Sequence, residues 1–168
     1  MNYRILGQLT GPRGQAECPI DAPVPPGTGQ EWSGPVRGKI DLEKAGEELL
    51  ASGKLQATVL LPCSRCAVVH PVPLDLDIRE TVALRQVDEP EAYEEEEGPA
   101  PIPILAGDAV DLSELVRQML VLGVPARSLC RPDCRGLCPS CGQDLNQTAC
   151  DCGVQEIDPR LEALRDLL

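Results

Sequence analysis

Residues 128–152 read SLCRPDCRGLCPSCGQDLNQTACDC, and six of these 25 positions are cysteine. The stretch offers little else to fold around, since Leu129, Leu137 and Leu145 are its only sizeable apolar residues. Three leucines fall far short of offsetting the backbone entropy lost when such a segment is ordered. Metal–thiolate bonds are the remaining source of stability, because a structural zinc ion contributes folding free energy outright. The segment is expected to fold only around metal.

Two further cysteines lie upstream in Cys63-Ser64-Arg65-Cys66, so eight of the nine fall into four close pairs. The pairs are Cys63/Cys66, Cys130/Cys134, Cys138/Cys141 and Cys150/Cys152, with Cys18 left over. Four pairs are the arithmetic of two four-thiolate sites. Cys138-Pro139-Ser140-Cys141-Gly142 is the strongest local signal: two thiolates at this spacing chelate one tetrahedral ion across a tight turn, and the glycine accepts a positive φ. The preferred partition puts Cys63, Cys66, Cys130 and Cys134 in one site and Cys138, Cys141, Cys150 and Cys152 in the other, which closes the tail locally. The alternative joins Cys130/Cys134 to Cys138/Cys141 and sends Cys150/Cys152 to the upstream pair. His70 reads as a hairpin surface residue, because eight thiolates already fill two sites.

Three chemically active readings compete with structural zinc. Cys134-x3-Cys138-x2-Cys141 has the spacing of radical enzymes that hold an iron–sulfur cluster, but the barrel length those enzymes need does not follow. A thioredoxin-like reading of Cys63/Cys66 needs a helix after the pair, and VVHPVP follows instead. A catalytic zinc needs an open position and an acid–base partner, and the chain has one histidine. The reading is therefore two closed zinc sites, no catalytic residue, no small-molecule substrate and no enzyme.

The residues before the lobe read as strands. Arg37 to Leu42, Leu55 to Leu61 and Val68 to Leu84 alternate or carry β-branched runs, with Gly and Pro between them. Asp41 to Ser52 competes as a helix on local propensity, and Gly11 to Ser33, dense in Pro and Gly, reads as loop. Farther on, Asp111 with Glu114 resembles a capping box ahead of an apolar face of Leu112, Leu115, Val116, Met119 and Leu120. A second helix is expected from Asp158, with Pro159 first and Leu161, Leu164 and Leu168 on one side. With no Phe, one Trp and two Tyr, the core is aliphatic.

The net charge is −12, yet residues 88–108 alone carry eight acidic residues and no basic one. That stretch, DEPEAYEEEEGPAPIPILAGD, reads as an acidic, Pro-rich linker, and the chain outside it is nearly balanced. The expected plan is a β-rich region with a CxxC hairpin over 1–87, the linker over 88–108, and a helix, cysteine-rich lobe and C-terminal helix over 109–168. The fold class is α+β: an antiparallel sheet or open barrel with a packed helix and a zinc-ribbon-like lobe, forming one body. No membrane-spanning run and no signal-like amino end occur, so the expected location is cytoplasmic, where paired cysteines bind metal more often than they form disulfides.

The succession LPCSRC, acidic spacer, DLSELVRQMLVLGVPARSLC, DCRGLCPSCGQDLN, CDC and DPRLEALRDLL resembles the YceD-like family of bacterial large ribosomal RNA subunit accumulation proteins. The resemblance covers about Val36 to Leu168. It implies a non-enzymatic ribosome biogenesis factor that promotes accumulation of large-subunit ribosomal RNA and assembly of that subunit. The implied partners are the ribosomal RNA precursor, a ribosomal protein or an assembly factor. A zinc-ribbon adaptor of a transcription or other protein complex is the alternative function.

Arg65, Arg127, Arg131 and Arg135 are the candidate contacts with RNA or a protein partner, since zinc modules present such arginines to phosphate. The competing role for those of the tail is pairing with Asp133, Asp144 and Asp151. No aromatic residue accompanies them to stack on a base.

Overall fold

The computed structural model describes residues 1–9, 14–45, 48–86, 100–105 and 109–152. The chain divides into two compact units, Met1–Leu61 with Pro71–Ala126, and Pro62–His70 with the described part of Arg127–Leu168. The boundary therefore does not fall at the acidic spacer. The helix over 113–123 belongs with the sheet, whereas the CxxC hairpin turn belongs with the cysteine-rich tail.

The described residues of the first unit build an eight-stranded sheet from β1 (Asn2–Arg4), β2 (Gln15–Ala22), β3 (Glu31–Trp32), β4 (Val36–Ala45), β5 (Glu48–Pro62), β6 (Val69–Gln86), β7 (Ala100–Leu105) and β8 (Ala109–Asp111). The order is β1-β8-β7-β6-β5-β4-β2, with β3 beside β5. Only β6 and β7 are seen to run parallel; β1–β8, β2–β4, β3–β5, β4–β5 and β7–β8 are antiparallel. The sheet is open, and its end strands are β1 and β2. Tyr3 Oη of β1 donates to the Pro19 carbonyl of β2 at 2.5 Å, and the four-residue helix α1 (Leu6–Leu9) lies between these strands in sequence.

Alternation decides which face is buried. In β2, Ala16, Cys18 and Ile20 are buried while Gln15, Glu17, Pro19 and Asp21 are exposed. In β5, Leu49, Ala51, Leu55, Ala57, Val59 and Leu61 lie inside. Helix α2 (Ser113–Gly123) adds Leu115, Val116 and Leu120 to the same core as Ile40, Leu42 and Leu55, with Met119 partly buried against it. Cys18 is fully buried in that core. Burial and the nearby Asp41 and Glu17 carboxylates push its thiol up to about 11, so it behaves as a small apolar side chain. A smaller cluster of Val59, Leu61 and Leu74 packs with the half-buried Trp32, whose indole Nε1 donates to Thr28 Oγ1 at 2.8 Å.

Two glycines let β4 and β5 approach closely. A Cβ on Gly38, at φ +148°, would stand 2.0 Å from the Lys54 carbonyl oxygen, and one on Gly53 would stand 2.1 Å from that of Lys39. No side chain fits at either place.

Several expectations are corrected. Asp41 to Ser52 is not a helix: residues 41–45 and 48–52 are paired strands, with Ala45 opposite Glu48. Burying Leu42, Leu49 and Ala51 on one sheet face outweighs local helix propensity. Gly11 to Ser33 contains β2 and β3, and Pro19 is tolerated because β2 is an end strand with its carbonyl turned away from β4 toward Tyr3. The spacer over 88–108 includes β7, which runs beside residues 82–86 of β6. Asp111 accepts the Ser113 N–H at 2.9 Å, but Glu114 does not reach back; it pairs with Arg117 at 2.5 Å and Gln118 at 2.9 Å. The acidic run Glu94 to Glu97 and the helix expected from Asp158 lie outside the described residues. No helix among the described residues is long and apolar enough to cross a membrane.

Candidate metal centres

Both C-x-x-C segments fold into the same turn. The Cys63 N–H donates to the Val68 carbonyl at 2.8 Å and the Ala67 N–H returns to the Cys63 carbonyl at 2.9 Å. Seventy-five residues on, the Cys138 N–H donates to the Gln143 carbonyl at 2.8 Å and the Gly142 N–H to the Cys138 carbonyl at 2.9 Å. The residue after the second cysteine has positive φ in both, +60° at Ala67 and +74° at Gly142. Past Ala67 the Val68 N–H faces the Cys66 sulfur, and within the turn the Arg65 N–H lies 3.4 Å from Cys63 Sγ. A single antiparallel bridge, Leu137 with Asp144, closes the second turn into a short ribbon.

The sulfurs gather into two groups, Cys63, Cys66, Cys130 and Cys134, and Cys138, Cys141, Cys150 and Cys152. Within each group they lie within 4.8 Å of one another, and none is joined in a disulfide. In the first, Cys63 and Cys134 are 3.9 Å apart and Cys66 and Cys130 3.6 Å. A tetrahedron with Zn–S bonds of about 2.3 Å has edges of about 3.8 Å, so this spacing fits one ion. The other partition of the pairs is not adopted. Cys134 stands in a different group from Cys138 and Cys141, which removes the three-cysteine cluster site.

The thiols of each group differ in how readily they ionise. Main-chain N–H of Cys130, with those of Arg65 and Cys66, lowers Cys63 to about 5, while burial and the three neighbouring sulfurs push Cys130 up to about 12. In the second group, the N–H groups of Cys141 and Ser140 lower Cys138 to about 6, and hydrogen bonding with Cys141 and Cys138 pushes Cys152 up to about 12. In each group one thiol ionises easily and another is held protonated by its neighbours, and a cation at the centre would let all four be thiolates together.

Burial centres on the cysteines. Among residues 127–152 the buried ones are Ser128, Cys134, Gly136 and Cys138, whereas Leu129 and Leu137 are 40% and 41% exposed. Among the described residues, the ligands themselves are the interior of this unit. The first group is the more enclosed, with Cys63 and Cys134 buried and Cys66 and Cys130 half-buried; in the second, Cys141 and Cys152 are exposed.

The four arginines divide. Arg65 Nη1 donates to the Cys134 carbonyl at 2.8 Å, and its own carbonyl accepts the Leu137 N–H at 3.1 Å, so it joins hairpin turn to tail. Arg131 donates to Asn146 Oδ1 at 2.8 Å and lies 3.6 Å from Asp133. Arg127 and Arg135 are exposed, and no described carboxylate pairs with their guanidinium groups. Asp144 accepts from Asn146 and Gln147 rather than from an arginine. His70 lies outside both groups and shares a 2.8 Å hydrogen bond with the buried Ser128 hydroxyl.

One residue the sequence did not single out is Asn146. Its Oδ1 accepts the Arg135 N–H and Arg131 Nη2, each at 2.8 Å, and its Nδ2 donates to Asp144 Oδ1 at 2.8 Å and Cys134 Sγ at 3.5 Å. In sequence it is an unremarked loop asparagine.

Comparison with known proteins places the chain in a family. The chain is 25% identical over 134 residues to protein YlbN of Bacillus subtilis, covering 79% of this chain and 73% of that one. It is 30% identical over 131 residues to Rv2926c of Mycobacterium tuberculosis, 77% of this chain but 60% of the relative. It is 26% identical over 187 aligned positions to a Zea mays protein named large ribosomal RNA subunit accumulation protein YCED homolog 1, chloroplastic, covering 92% of this chain and 63% of that one. No solved structure matches. A family model described as large ribosomal RNA subunit accumulation protein YceD matches residues 51–168, a span holding all eight clustered cysteines. The chain belongs to the YceD family.

Proposed function

We propose that the protein is a non-enzymatic factor for accumulation of large-subunit ribosomal RNA and assembly of that subunit, acting in the cytoplasm by binding. Two zinc ions, one in each cysteine group, hold a zinc-ribbon-like lobe in the shape that binds. The family match over residues 51–168 supports this reading, since two relatives are named large ribosomal RNA subunit accumulation proteins and the matched span includes both groups. Zinc suits the donor set: four thiolates at tetrahedral spacing, with no fifth ligand and no acid–base partner among the described residues around them. Arg127 and Arg135, exposed and without an ion-pair partner among the described residues, are the side chains proposed to meet the ribosomal RNA precursor or a ribosomal protein or assembly factor bound to it.

Gradient sedimentation of cell extract tests the role. The protein is expected to migrate with immature large subunits, and its depletion to lower large-subunit RNA relative to small-subunit RNA. Migration only with another complex, with both RNAs unchanged, would instead establish the zinc-ribbon adaptor.

A further inference from the structure

We propose that Asn146 is a positioning residue that couples the two cysteine groups, so that metal in the tail group tightens metal in the hairpin group; this rests on the reading of both groups as metal sites. The two groups follow each other along the chain with only Arg135, Gly136 and Leu137 between Cys134 of one and Cys138 of the other. Asn146 clamps that passage from the opposite side of the ribbon. A primary amide has two acceptor positions and two donor hydrogens. All four are used here: Oδ1 by the Arg135 N–H and Arg131 Nη2, and Nδ2 by Asp144 Oδ1 and Cys134 Sγ. The partners fix the orientation of the amide, because a flipped one would set its oxygen against a carboxylate and a sulfur.

Each contact belongs to one side of the coupling. Cys134 is a hairpin-group sulfur, and residues 131–135 form the loop that delivers it. Asp144 is the ribbon residue bridged to Leu137, next to Cys138 of the tail group. Asp144 also accepts the Asn146 N–H at 2.9 Å, so the side chain is held only where the ribbon is formed. Among the described residues the ribbon has no apolar interior of its own, and it depends on the tail group for its shape. Metal in the tail group therefore presents a preset N–H donor to Cys134, and the benefit is reciprocal. Outer partners of metal ligands commonly change affinity by about 10–100-fold.

The test uses the full chain and cobalt(II), whose thiolate charge-transfer bands report each site. In the native background, disabling the tail group with Cys150→Ser and Cys152→Ser is expected to weaken cobalt binding at the hairpin group by about tenfold. With Asn146→Ala already present, the same disabling is expected to cost the hairpin group little more, as a double-mutant cycle shows coupling. Asn146→Asp keeps both acceptor contacts but removes the donation to sulfur and sets a carboxylate oxygen against Asp144 and Cys134 Sγ, so it is expected to shift the hairpin charge-transfer band and to lower melting as well. Equal losses on disabling the tail group with and without Asn146 would overturn the coupling while leaving two metal sites intact. Absence of cobalt binding at either group would overturn both the coupling and the metal reading beneath it.

Discussion

The main-chain N–H of Leu137 donates to the carbonyl oxygen of Arg65 at 3.1 Å, and Gly136 passes so near that a Cβ there would stand 2.9 Å from the same oxygen. Gly136 also has φ +78°, so a side chain meets both strain and a fixed backbone. Gly136→Ala is expected to destabilise the cysteine-rich unit by about 1–3 kcal/mol. Thermal melting together with zinc content checks this, and an unchanged melt would show that the passage is loose.

Ala67 holds the conformation that Gly142 holds in the sister turn, but pays for a Cβ in the left-handed region. Ala67→Gly should raise stability by up to about 1 kcal/mol, the strain relieved less the added freedom of the unfolded chain. Chemical denaturation of the zinc-loaded protein measures it. A loss of stability would mean that the Ala67 methyl packs usefully.

Cys63→Ser with Cys66→Ser removes half of the hairpin group's ligands, and Cys141→Ser with Cys152→Ser half of the tail group's. Each variant is expected to lose one of two bound zinc equivalents, with the hairpin variant melting lower because its group is the more enclosed. Elemental analysis with an absorption spectrum decides. Two colourless zinc ions in the parent support the assignment, and a brown chromophore would show iron–sulfur instead.

Cys18 gives a pH dependence with a definite sign. Its folded thiol is raised to about 11 by burial and two carboxylates, against about 8.5 in an unfolded chain. Below the lower value both states keep the proton, and the buried thiol contributes fully. As pH rises from about 8.5 toward about 11, the unfolded chain ionises first and stability falls. Cys18→Ala is expected to flatten that part of the profile, and native Cys18 to resist alkylation at pH 8. Rapid labelling of the folded protein at Cys18 would contradict its burial.

Arg127→Glu with Arg135→Glu should weaken migration with large-subunit precursors and leave zinc content and melting near parental values. Arg65→Glu is expected to lower stability as well, since its guanidinium caps the Cys134 carbonyl. If the first pair changes melting as much as Arg65→Glu, the arginines are structural rather than contacts.

The cysteine groups were legible because ligands that share an ion must be close in space, and pair spacing carries that requirement into the sequence. α2 was legible for a similar reason: Leu115, Val116 and Leu120 recur at helical period and are buried together. β2 was hidden by Pro19 and by the small size of Ala16 and Cys18, which make a weak alternation. Glu43, Lys44 and Glu48 favour a helix locally, while strand pairing is set by residues distant in sequence. β7 was hidden in APIPIL by two prolines that remove donors. Asn146 stands in the sequence only as the last residue of DCRGLCPSCGQDLN, and its role left no trace, because its partners at 131, 134, 135 and 144 converge only after the ribbon forms.

The cysteine-rich unit is discontinuous in the chain, with Pro71–Ala126 inserted between its two parts. An ion joining Cys66 to Cys130 consequently acts on the denatured chain as a cross-link, closing a span of 64 residues. A covalent closure of that length removes chain entropy worth about 4 kcal/mol. Chelation should therefore loosen more than the lobe: β6, β7 and α2, which contribute no ligand, lose the tether that limits their unfolded excursions.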